Sequence, residues 1–271
     1  MSLAGLSTDV RRDLDFAIDA AQVAGARVLA LRASGRWTEE TQLADIGDQA
    51  ADGFLQGLIR GRYPNDGILS EETADSPERL ARSRVWIVDP LDGTREYSQQ
   101  REDWAVHVAL AIDGRCALGA VALPAQARCL WGVCTPSNTS GGVVGGGEAQ
   151  LGTSRAPTPL RIAVSRSHTP SWMPRFAQEL QAAQTHSGSV GNKVAMLLLG
   201  AADVYAHRKG LKEWDTCAPE CVARGLGWRV SRLRGEELVY NRPDPRVEEF
   251  LVCRPAQRER VLAALVAASV V

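Results

Sequence analysis

The sequence predicts a mixed α/β fold built in two halves. Apolar residues recur at helical spacing over roughly the first 60 residues, whereas the middle of the chain consists of short apolar runs separated by turn residues. Helices and strands are then interspersed to the C-terminus, which is typical of proteins that pack helices on sheets. With 271 residues, of which 45% are hydrophobic, the chain can bury a sizeable core in one large or two smaller domains.

Two amphipathic helices are predicted at the N-terminal end. Apolar residues keep helical spacing over residues 14–31, ending near Ser34-Gly35, and again over residues 46–59, with Gly61 as the stop. Asp48 falls near the predicted start of the second helix, where acidic residues commonly cap the helix or face its dipole. Helix capping is therefore one interpretation of Asp48, beside a functional one.

The centre of the chain predicts a short buried strand followed by an antiparallel set. Val85-Trp86-Ile87-Val88 is apolar, and Pro90 cannot donate a ladder hydrogen bond. We therefore expect this strand to end at Asp89, with Asp92 on the turn beyond. His107 falls in the next strand and is interpreted as a half-buried histidine with satisfied polar atoms rather than as a ligand. Further strands are predicted over residues 104–112, 117–123 and 129–133.

A loop rich in Gly, Ser, Thr and Pro is predicted over residues 134–160. It marks the boundary between a first domain, residues 1–155, and a second, residues 156–271. In the second domain, Pro219 suits the first turn of a helix that follows Trp214-Asp215. The other predicted elements are strands over 160–164, 202–206, 228–233, 238–240 and 250–252, and helices over 172–183, 194–199 and from Pro255 onwards.

Composition excludes several classes of protein. A formal net charge of −1 argues against a general binder of nucleic acid or of membrane surfaces. The first residues lack the basic flank and apolar core of a signal peptide, and the apolar run over residues 261–271 is too short to span a bilayer. The six cysteines form no C-x-x-C pair, so neither a disulfide scaffold nor a zinc site is indicated, and a reducing cytoplasm is the expected location.

Two carboxylates crowd the end of the central strand. At ~4 Å, the charges of Asp89 and Asp92 would repel each other by about 1 to 4 kcal/mol. A hard cation such as Mg2+ would turn that repulsion into binding, and the Leu91 carbonyl can add a third oxygen. The backbone N–H groups of Gly93 and Thr94 follow, as at a helix start that can hold a phosphate oxygen. The alternative is that Asp-Pro and Asp-Gly serve only as turn dipeptides.

Two further acidic motifs favour the functional reading. Ser70-Glu71-Glu72 precedes Asp89-Pro90-Leu91-Asp92-Gly93-Thr94, and Glu213-Trp214-Asp215-Thr216 follows it. Over roughly residues 40–240, this ordered set resembles the inositol monophosphatase superfamily of Mg2+-dependent, lithium-sensitive phosphatases. The resemblance implies a layered α-β-α-β-α sandwich of two subdomains with the site between them. Relatives are often dimers, which suggests a homodimer.

The resemblance also implies roles for individual residues. Two or three Mg2+ ions are expected: Glu71, Asp89 and the Leu91 carbonyl would hold one, and Asp89, Asp92 and Asp215 would hold the second. Thr94, assisted by Asp48, would orient and deprotonate the attacking water. The Gly93 and Thr94 N–H groups would bind the phosphate. Carboxylates suit the binding of metal ions, and hydroxyl and backbone N–H groups suit the positioning of water and phosphate in phosphoryl transfer.

Rival chemistries fit the sequence less well. The haloacid dehalogenase signature D-x-D-G-T lacks the extra residue found here in D-P-L-D-G-T, and no cysteine has an arginine six positions later, as a cysteine phosphatase needs. An EF-hand needs acids at loop positions one, three and five, but counted from Asp89 the third and fifth positions are Leu91 and Gly93. A non-catalytic Mg2+-dependent binder of a phosphorylated ligand stays an alternative, although such a binder has no need of the water activators Asp48 and Thr94.

The second half resembles the 3'(2'),5'-bisphosphate nucleotidases within this superfamily, through Ser165-Arg166-Ser167-His168, Gly191-Asn192-Lys193 and the stretch around Trp214-Asp215. This implies hydrolysis of adenosine 3',5'-bisphosphate to AMP and phosphate in sulfur assimilation; the alternative is a broad inositol-1-phosphate or fructose-1,6-bisphosphate phosphatase. Ser165 and His168 either contact the nucleotide or form a capped turn.

A basic segment offers a site for a second phosphate. Relatives specific for inositol monophosphate carry an acid seven positions before the Trp-Asp aspartate. In this chain Arg208 stands there, followed by Lys209 and, after Leu211, by Lys212. Lys193 is expected to add a positive charge at the mouth of the site, where charge-assisted bonds to phosphate would form. The alternative for these basic residues is a solvated turn.

Overall fold

The computed structural model describes residues 6–146, 151 and 159–271. Within these residues the helices are α1 (Thr8–Ala33), α2 (Glu40–Arg62), α3 (Thr94–Ser98), α4 (Met173–Leu180), α5 (Val190–Leu198), α6 (Glu213–Gly225) and α7 (Arg258–Ala267). The strands are β1 (Gly67–Ser70), β2 (Arg84–Asp92), β3 (Ala105–Ile112), β4 (Arg115–Leu123), β5 (Arg128–Thr135), β6 (Asn138–Gly145), β7 (Arg161–Ser165), β8 (Ala183–Ser187), β9 (Val204–Lys212), β10 (Arg229–Ser231) and β11 (Arg246–Cys253).

Two sheets alternate with three helical layers. The first sheet has the order β1-β2-β3-β4-β5-β6 and the second the order β10-β11-β9-β7-β8. Apolar residues of α1 and α2 pack on one face of the first sheet, and α5 and α6 lie between the two sheets. Helices α4 and α7 cover the outer face of the second sheet. The predicted layered α-β-α-β-α sandwich is therefore confirmed.

The two halves of the chain share one hydrophobic core. The cluster between the sheets joins Val85 and Ala109 of the first half to Ala218 and Phe250 of the second. The predicted domain boundary after residue 155 lies outside the described residues and stays a prediction.

Helix α6 lies unusually close to the first sheet. A methyl group placed on Gly132 of β5 would overlap the carbonyl of Cys221, and one on Gly141 of β6 would lie 2.9 Å from the backbone of Gly225. Larger side chains would push the helix away from the sheet. These glycines therefore set the depth at which α6, and Asp215 in its first turn, can sit.

Several sequence predictions are wrong in detail. Residues 138–145 form strand β6 rather than a loop, residues 183–187 form β8, and residues 238–240 form no strand. Pro219 lies inside α6 and not in its first turn. Helix α2 begins at Glu40, so Asp48 lies in its third turn, where it cannot act as the helix cap. Strand β2 continues through Pro90 and ends at Asp92 rather than at Asp89.

Candidate active site

A local irregularity at the end of β2 brings its two aspartates into one cluster. Asp89 pairs with His107 and Asp92 pairs with Ala105, and the register shifts between them. The shift contains Pro90, which has no N–H for the ladder. Asp89 is 1% exposed, and its Oδ1 accepts a hydrogen bond of 3.2 Å from the Leu91 N–H.

The second half of the chain supplies the hydrogen bonds that hold Asp92. Its Oδ1 accepts from the Val190 N–H at 3.1 Å and its Oδ2 from the Gly191 N–H at 2.7 Å, both in the first turn of α5. Burial alone would raise the pKa of Asp92, but the charges of His107 and Lys193 outweigh it and lower the pKa to about 2. Asp92 is therefore held as a carboxylate.

Asp215 enters the same cluster from helix α6. Its Oδ2 accepts a 2.6 Å hydrogen bond from the Lys212 N–H, as part of a capping box. Burial, followed by the negative charge of Asp92, raises the pKa of Asp215 to about 7. The same causes act on Glu71, which follows β1: reduced hydration of its carboxyl, then the charges of Glu72 and Asp92, raise its pKa to about 7. Glu71 is exposed as a whole residue, so its shift is the more easily screened by water.

One carboxylate oxygen in this cluster has no partner. Asp89 Oδ2 is buried and accepts no hydrogen bond. Burial and the charges of Glu71 and Asp92 raise the pKa of Asp89 well above its usual value. Among the described residues, ligand atoms of Asp89, Asp92 and His107 lie within 4.8 Å of one another. An unpartnered oxygen among mutually repelling acids is the donor set that a hard divalent cation satisfies, so the residues present fit a metal ion.

The two predicted water activators face each other. Thr94 opens α3 directly after Gly93, whose φ of 92° is accessible to glycine at low cost. The Thr94 hydroxyl lies 3.4 Å from Asp48 Oδ1 and 3.0 Å from the Leu91 carbonyl oxygen. Burial, then the charges of Glu72 and Glu71, raise the pKa of Asp48 to about 8. The structure thus joins Asp48, Thr94 and Leu91 beside the acidic cluster.

A cavity of about 430 Å³ extends from this cluster toward the second half of the chain. Its lining includes Asp92 and Gly93 of the first half and Ser165 and His168 of the second. Ser165 Oγ also accepts a 3.3 Å hydrogen bond from the His168 N–H. The hydrogen bond agrees with the interpretation of Ser165 and His168 as a capped turn. Both residues also line the cavity, as the interpretation of a nucleotide contact requires.

Lys193 lines the same cavity but not at its mouth, where the sequence analysis expected it. The side chain is buried, with the residue 4% exposed; Nζ donates to the Gly188 carbonyl and lies 5.3 Å from the centre of the Tyr205 ring. Burial lowers the pKa of Lys193, against the raising effect of nearby acids such as Asp92 and Glu96. Its charge therefore acts from within the protein wall.

Strand β9 presents other residues to the cavity than the one predicted. Arg208 is exposed and stands opposite Glu249 in the sheet register, whereas its neighbours His207 and Lys209 line the cavity. Lys209 belongs to the basic segment predicted for the second phosphate, whereas His207 was not predicted. The two-residue period of a strand could have separated both residues from Arg208. The role of Arg208 stays a prediction.

His107 is also placed differently from expectation. It is 0% exposed rather than half-buried, and its Nε2 lies 3.1 Å from Asp92 Oδ2. This close contact does not have the geometry of a hydrogen bond, so the expectation of satisfied polar atoms is wrong for Nε2. Burial would lower the pKa of His107, but the charge of Asp92 and the Trp214 carbonyl raise it overall. The histidine therefore belongs to the acidic cluster.

Known proteins resemble this chain in both sequence and fold. The model of the inositol monophosphatase family matches residues 9–270. The chain belongs to this family. Its members are metal-dependent phosphatases, so the chain is a phosphatase of the inositol monophosphatase type, and the predicted family resemblance is confirmed.

Within this family, the chain is similar to phosphatases named for 3'-phosphorylated adenosine nucleotides. The chain is 39% identical over 252 residues to 3'-phosphoadenosine 5'-phosphate phosphatase from Mycobacterium leprae, with 89% of each chain covered. It is 32% identical over 207 residues to 3'(2'),5'-bisphosphate nucleotidase CysQ from Salmonella typhimurium, covering 73% of this chain and 77% of that one. The crystal structure of CysQ from Bacteroides thetaiotaomicron, at 25% identity, matches with a TM-score of 0.75 over 90% of this chain and 97% of that one.

No helix within the described residues combines the length and apolar character needed to cross a bilayer. All six cysteines have free thiols.

Proposed function

We propose that this phosphatase is a Mg2+-dependent 3'(2'),5'-bisphosphate nucleotidase that hydrolyses adenosine 3',5'-bisphosphate to AMP and phosphate and serves sulfur assimilation. The observation that carries the proposal is the joining of two features in one site. The unpartnered Asp89 Oδ2 and the Asp48–Thr94 pair adjoin Asp92 and Gly93, which line one cavity together with Lys193 and Lys209. The relatives named for this substrate support the same conclusion.

The acidic residues would hold the metal in the arrangement that the family resemblance implies. Glu71, Asp89 and the Leu91 carbonyl would bind one ion, and Asp89, Asp92 and Asp215 a second. Bound Mg2+ supplies charge neutralisation for the phosphate oxygens and acidifies the attacking water. The hydrogen bonds from Val190 and Gly191 to Asp92 keep that carboxylate fixed.

The protein's own groups would position and deprotonate the water. The Thr94 hydroxyl lies between the Leu91 carbonyl oxygen and Asp48 Oδ1, at 3.0 and 3.4 Å. When it turns its hydrogen toward Asp48, its oxygen would accept a proton from the water while its own proton passes to Asp48. The N–H groups of Gly93 and Thr94, at the start of α3, would bind phosphate oxygens. The leaving oxygen takes up a proton, so that ester and water become alcohol and phosphate.

The far side of the cavity would recognise the rest of the nucleotide. Lys209 would place positive charge where a second phosphate binds, and buried Lys193 would add charge from behind the cavity wall. His168, Ser165 and Tyr205 would offer polar and aromatic surface to a nucleoside. An inositol monophosphate has no second phosphate and cannot use the two lysines in this way.

Phosphate release from four substrates tests the proposal: adenosine 3',5'-bisphosphate, its sulfated precursor, inositol 1-phosphate and fructose 1,6-bisphosphate, each with Mg2+ and with EDTA. We expect the highest kcat/KM on the adenosine substrates and loss of turnover in EDTA. Equal or better turnover of the inositol or fructose ester would favour the broad phosphatase, and unchanged turnover in EDTA would refute the metal dependence. A cytoplasmic location, a homodimer and the number of ions remain predictions from the sequence.

A further inference from the structure

His107 joins two parts of the acidic cluster that come from distant parts of the chain. Its Nε2 lies 3.1 Å from Asp92 Oδ2, and its Nδ1 lies 3.1 Å from the Trp214 carbonyl oxygen. Trp214 directly precedes Asp215 in the first turn of α6. One imidazole ring thus spans the distance between the strand that carries Asp92 and the helix that carries Asp215.

We infer that His107 is a positioning residue that ties Asp92 to the N-terminal turn of α6 and so fixes the spacing of the acids that bind the cation. This inference rests on the proposed metal-dependent function. Side chains beyond the first ligands commonly act in this way, and their loss typically weakens metal binding 10- to 100-fold.

The surroundings leave the ring little freedom to move. A methyl group on Gly191 would overlap His107 Nε2, so α5 closes one side of the ring at the point where the Gly191 N–H binds Asp92. His107 Nδ1 lies 3.9 Å from Asp89 Oδ2, the oxygen without a partner. The ring is 0% exposed. Water therefore cannot easily replace its two contacts when the ring is removed.

Two substitutions distinguish the contacts of the two His107 ring nitrogens from the packing of the side chain. His107→Leu keeps much of the volume and removes both nitrogens. His107→Asn keeps one N–H donor near the position of Nδ1 and can still reach the Trp214 carbonyl. Val108→Ala serves as the matched control, because Val108 is the next residue on β3 and packs in the core on the opposite face of the sheet.

Mn2+ binding to the purified protein without substrate, followed by electron paramagnetic resonance, tests the inference. We expect the dissociation constant for Mn2+ to rise at least 10-fold in His107→Leu, to be partly rescued in His107→Asn and to stay unchanged in Val108→Ala. Thermal unfolding in EDTA shows whether each variant is folded. If His107→Leu does not fold, Gly191→Ala, which displaces the ring, should weaken Mn2+ binding in the same direction.

Three results would overturn the positioning role. Wild-type Mn2+ affinity in the folded His107→Leu variant, or in Gly191→Ala where the leucine variant does not fold, would show that the bridge does not matter. Imidazole nitrogen coupling to bound Mn2+ in the wild-type protein would make His107 a ligand instead. A wild-type chain that binds no divalent cation would remove the basis of both proposals. If Mn2+ binding depends on His107 but adenosine 3',5'-bisphosphate is not hydrolysed, the positioning role is supported and only the proposed substrate fails.

Discussion

Asp48→Asn should have opposite effects on activity and stability. Asp48 is 9% exposed, faces Thr94 and lies near Glu71 and Glu72, whose charges raise its pKa. Asparagine keeps the size of the side chain but can carry no negative charge and can accept no proton from the water. We therefore expect kcat to fall by ~10²- to 10⁴-fold, the range for loss of a general base. Without a divalent cation, we expect the folded state to gain stability at neutral pH.

The size of the stability effect follows from the shift in pKa. The pKa of Asp48 is about 8 in the folded state against an ordinary value of 3.8, a difference of about 4 units. At about 1.4 kcal/mol per unit, this amounts to at most on the order of 5 kcal/mol. The folded state binds the Asp48 proton more tightly than the unfolded state does. The contribution of Asp48 to the free energy of unfolding is therefore fully present below about pH 4 and is lost as the pH rises toward about 8. The asparagine variant lacks this loss.

Urea unfolding in EDTA between pH 5 and pH 8 measures the difference between the variant and the wild type. We expect the stability advantage of Asp48→Asn to grow by up to about 1.4 kcal/mol per pH unit over this interval. Asp19→Asn, at an exposed position on α1, is the control and should show no such growth. An advantage that does not change with pH would refute the raised pKa. A near-normal kcat would refute the role of Asp48 in water activation.

Further predictions concern the metal, the nucleophile and the second phosphate. Asp89→Asn should abolish Mg2+-dependent turnover with the fold intact by circular dichroism; near-normal activity at saturating Mg2+ would contradict its role as a shared ligand. Thr94→Ala should lower kcat by ~10²-fold or more with little change in Mg2+ binding, and an unchanged kcat would assign water activation elsewhere. Lys209→Ala should raise KM for adenosine 3',5'-bisphosphate by roughly 10-fold, the scale of one charge-assisted bond. Arg208→Ala at the exposed neighbour, which tests the role predicted for Arg208 from the sequence, should change KM less if the cavity geometry decides recognition, and equal effects would contradict that. Li+ should inhibit turnover, and insensitivity would argue against the lithium-sensitive group.

The fold was predictable where local pattern and environment agree. The buried run before Asp89 and the two long N-terminal helices were placed correctly because their periodicity matches their burial. Strand β6 was missed because its glycines resemble a loop, whereas Gly141 is there to let Gly225 of α6 come close. Strand β8 is mostly exposed and polar, so it carries no apolar alternation to identify it. Both β6 and β8 form because of contacts with the rest of the fold and not because of their local sequence.

The site was predictable only as a set of acidic motifs. The sequence identified Asp89, Asp92 and Asp215 as neighbours through the family resemblance, but the hydrogen bonds that fix Asp92 come from Val190 and Gly191, which are 98 and 99 positions away. His107 has no partner within reach in the sequence and joins the cluster only through the pairing of β2 with β3. Its role therefore could not be read from its neighbours along the chain.

The acids of the cluster differ in the number of hydrogen bonds and positive charges that the protein offers to their carboxylates. Asp92 receives two backbone N–H groups, and Asp89 and Asp215 receive one each, but Asp89 Oδ2 receives none. The charges of His107 and Lys193, together with the Gly191 N–H, favour the charged form of Asp92, whereas burial and the charges of Glu71 and Asp92 favour the protonated form of Asp89. A cation that binds only the folded state adds about 2.7 kcal/mol of stability at a concentration 100 times its dissociation constant. Because Asp89, Glu71 and Asp215 must lose protons to bind it, that gain should be largest above about pH 7 and should fade in acid. The same acids that weaken the metal-free protein at high pH are therefore the ones that make its stability depend on the metal.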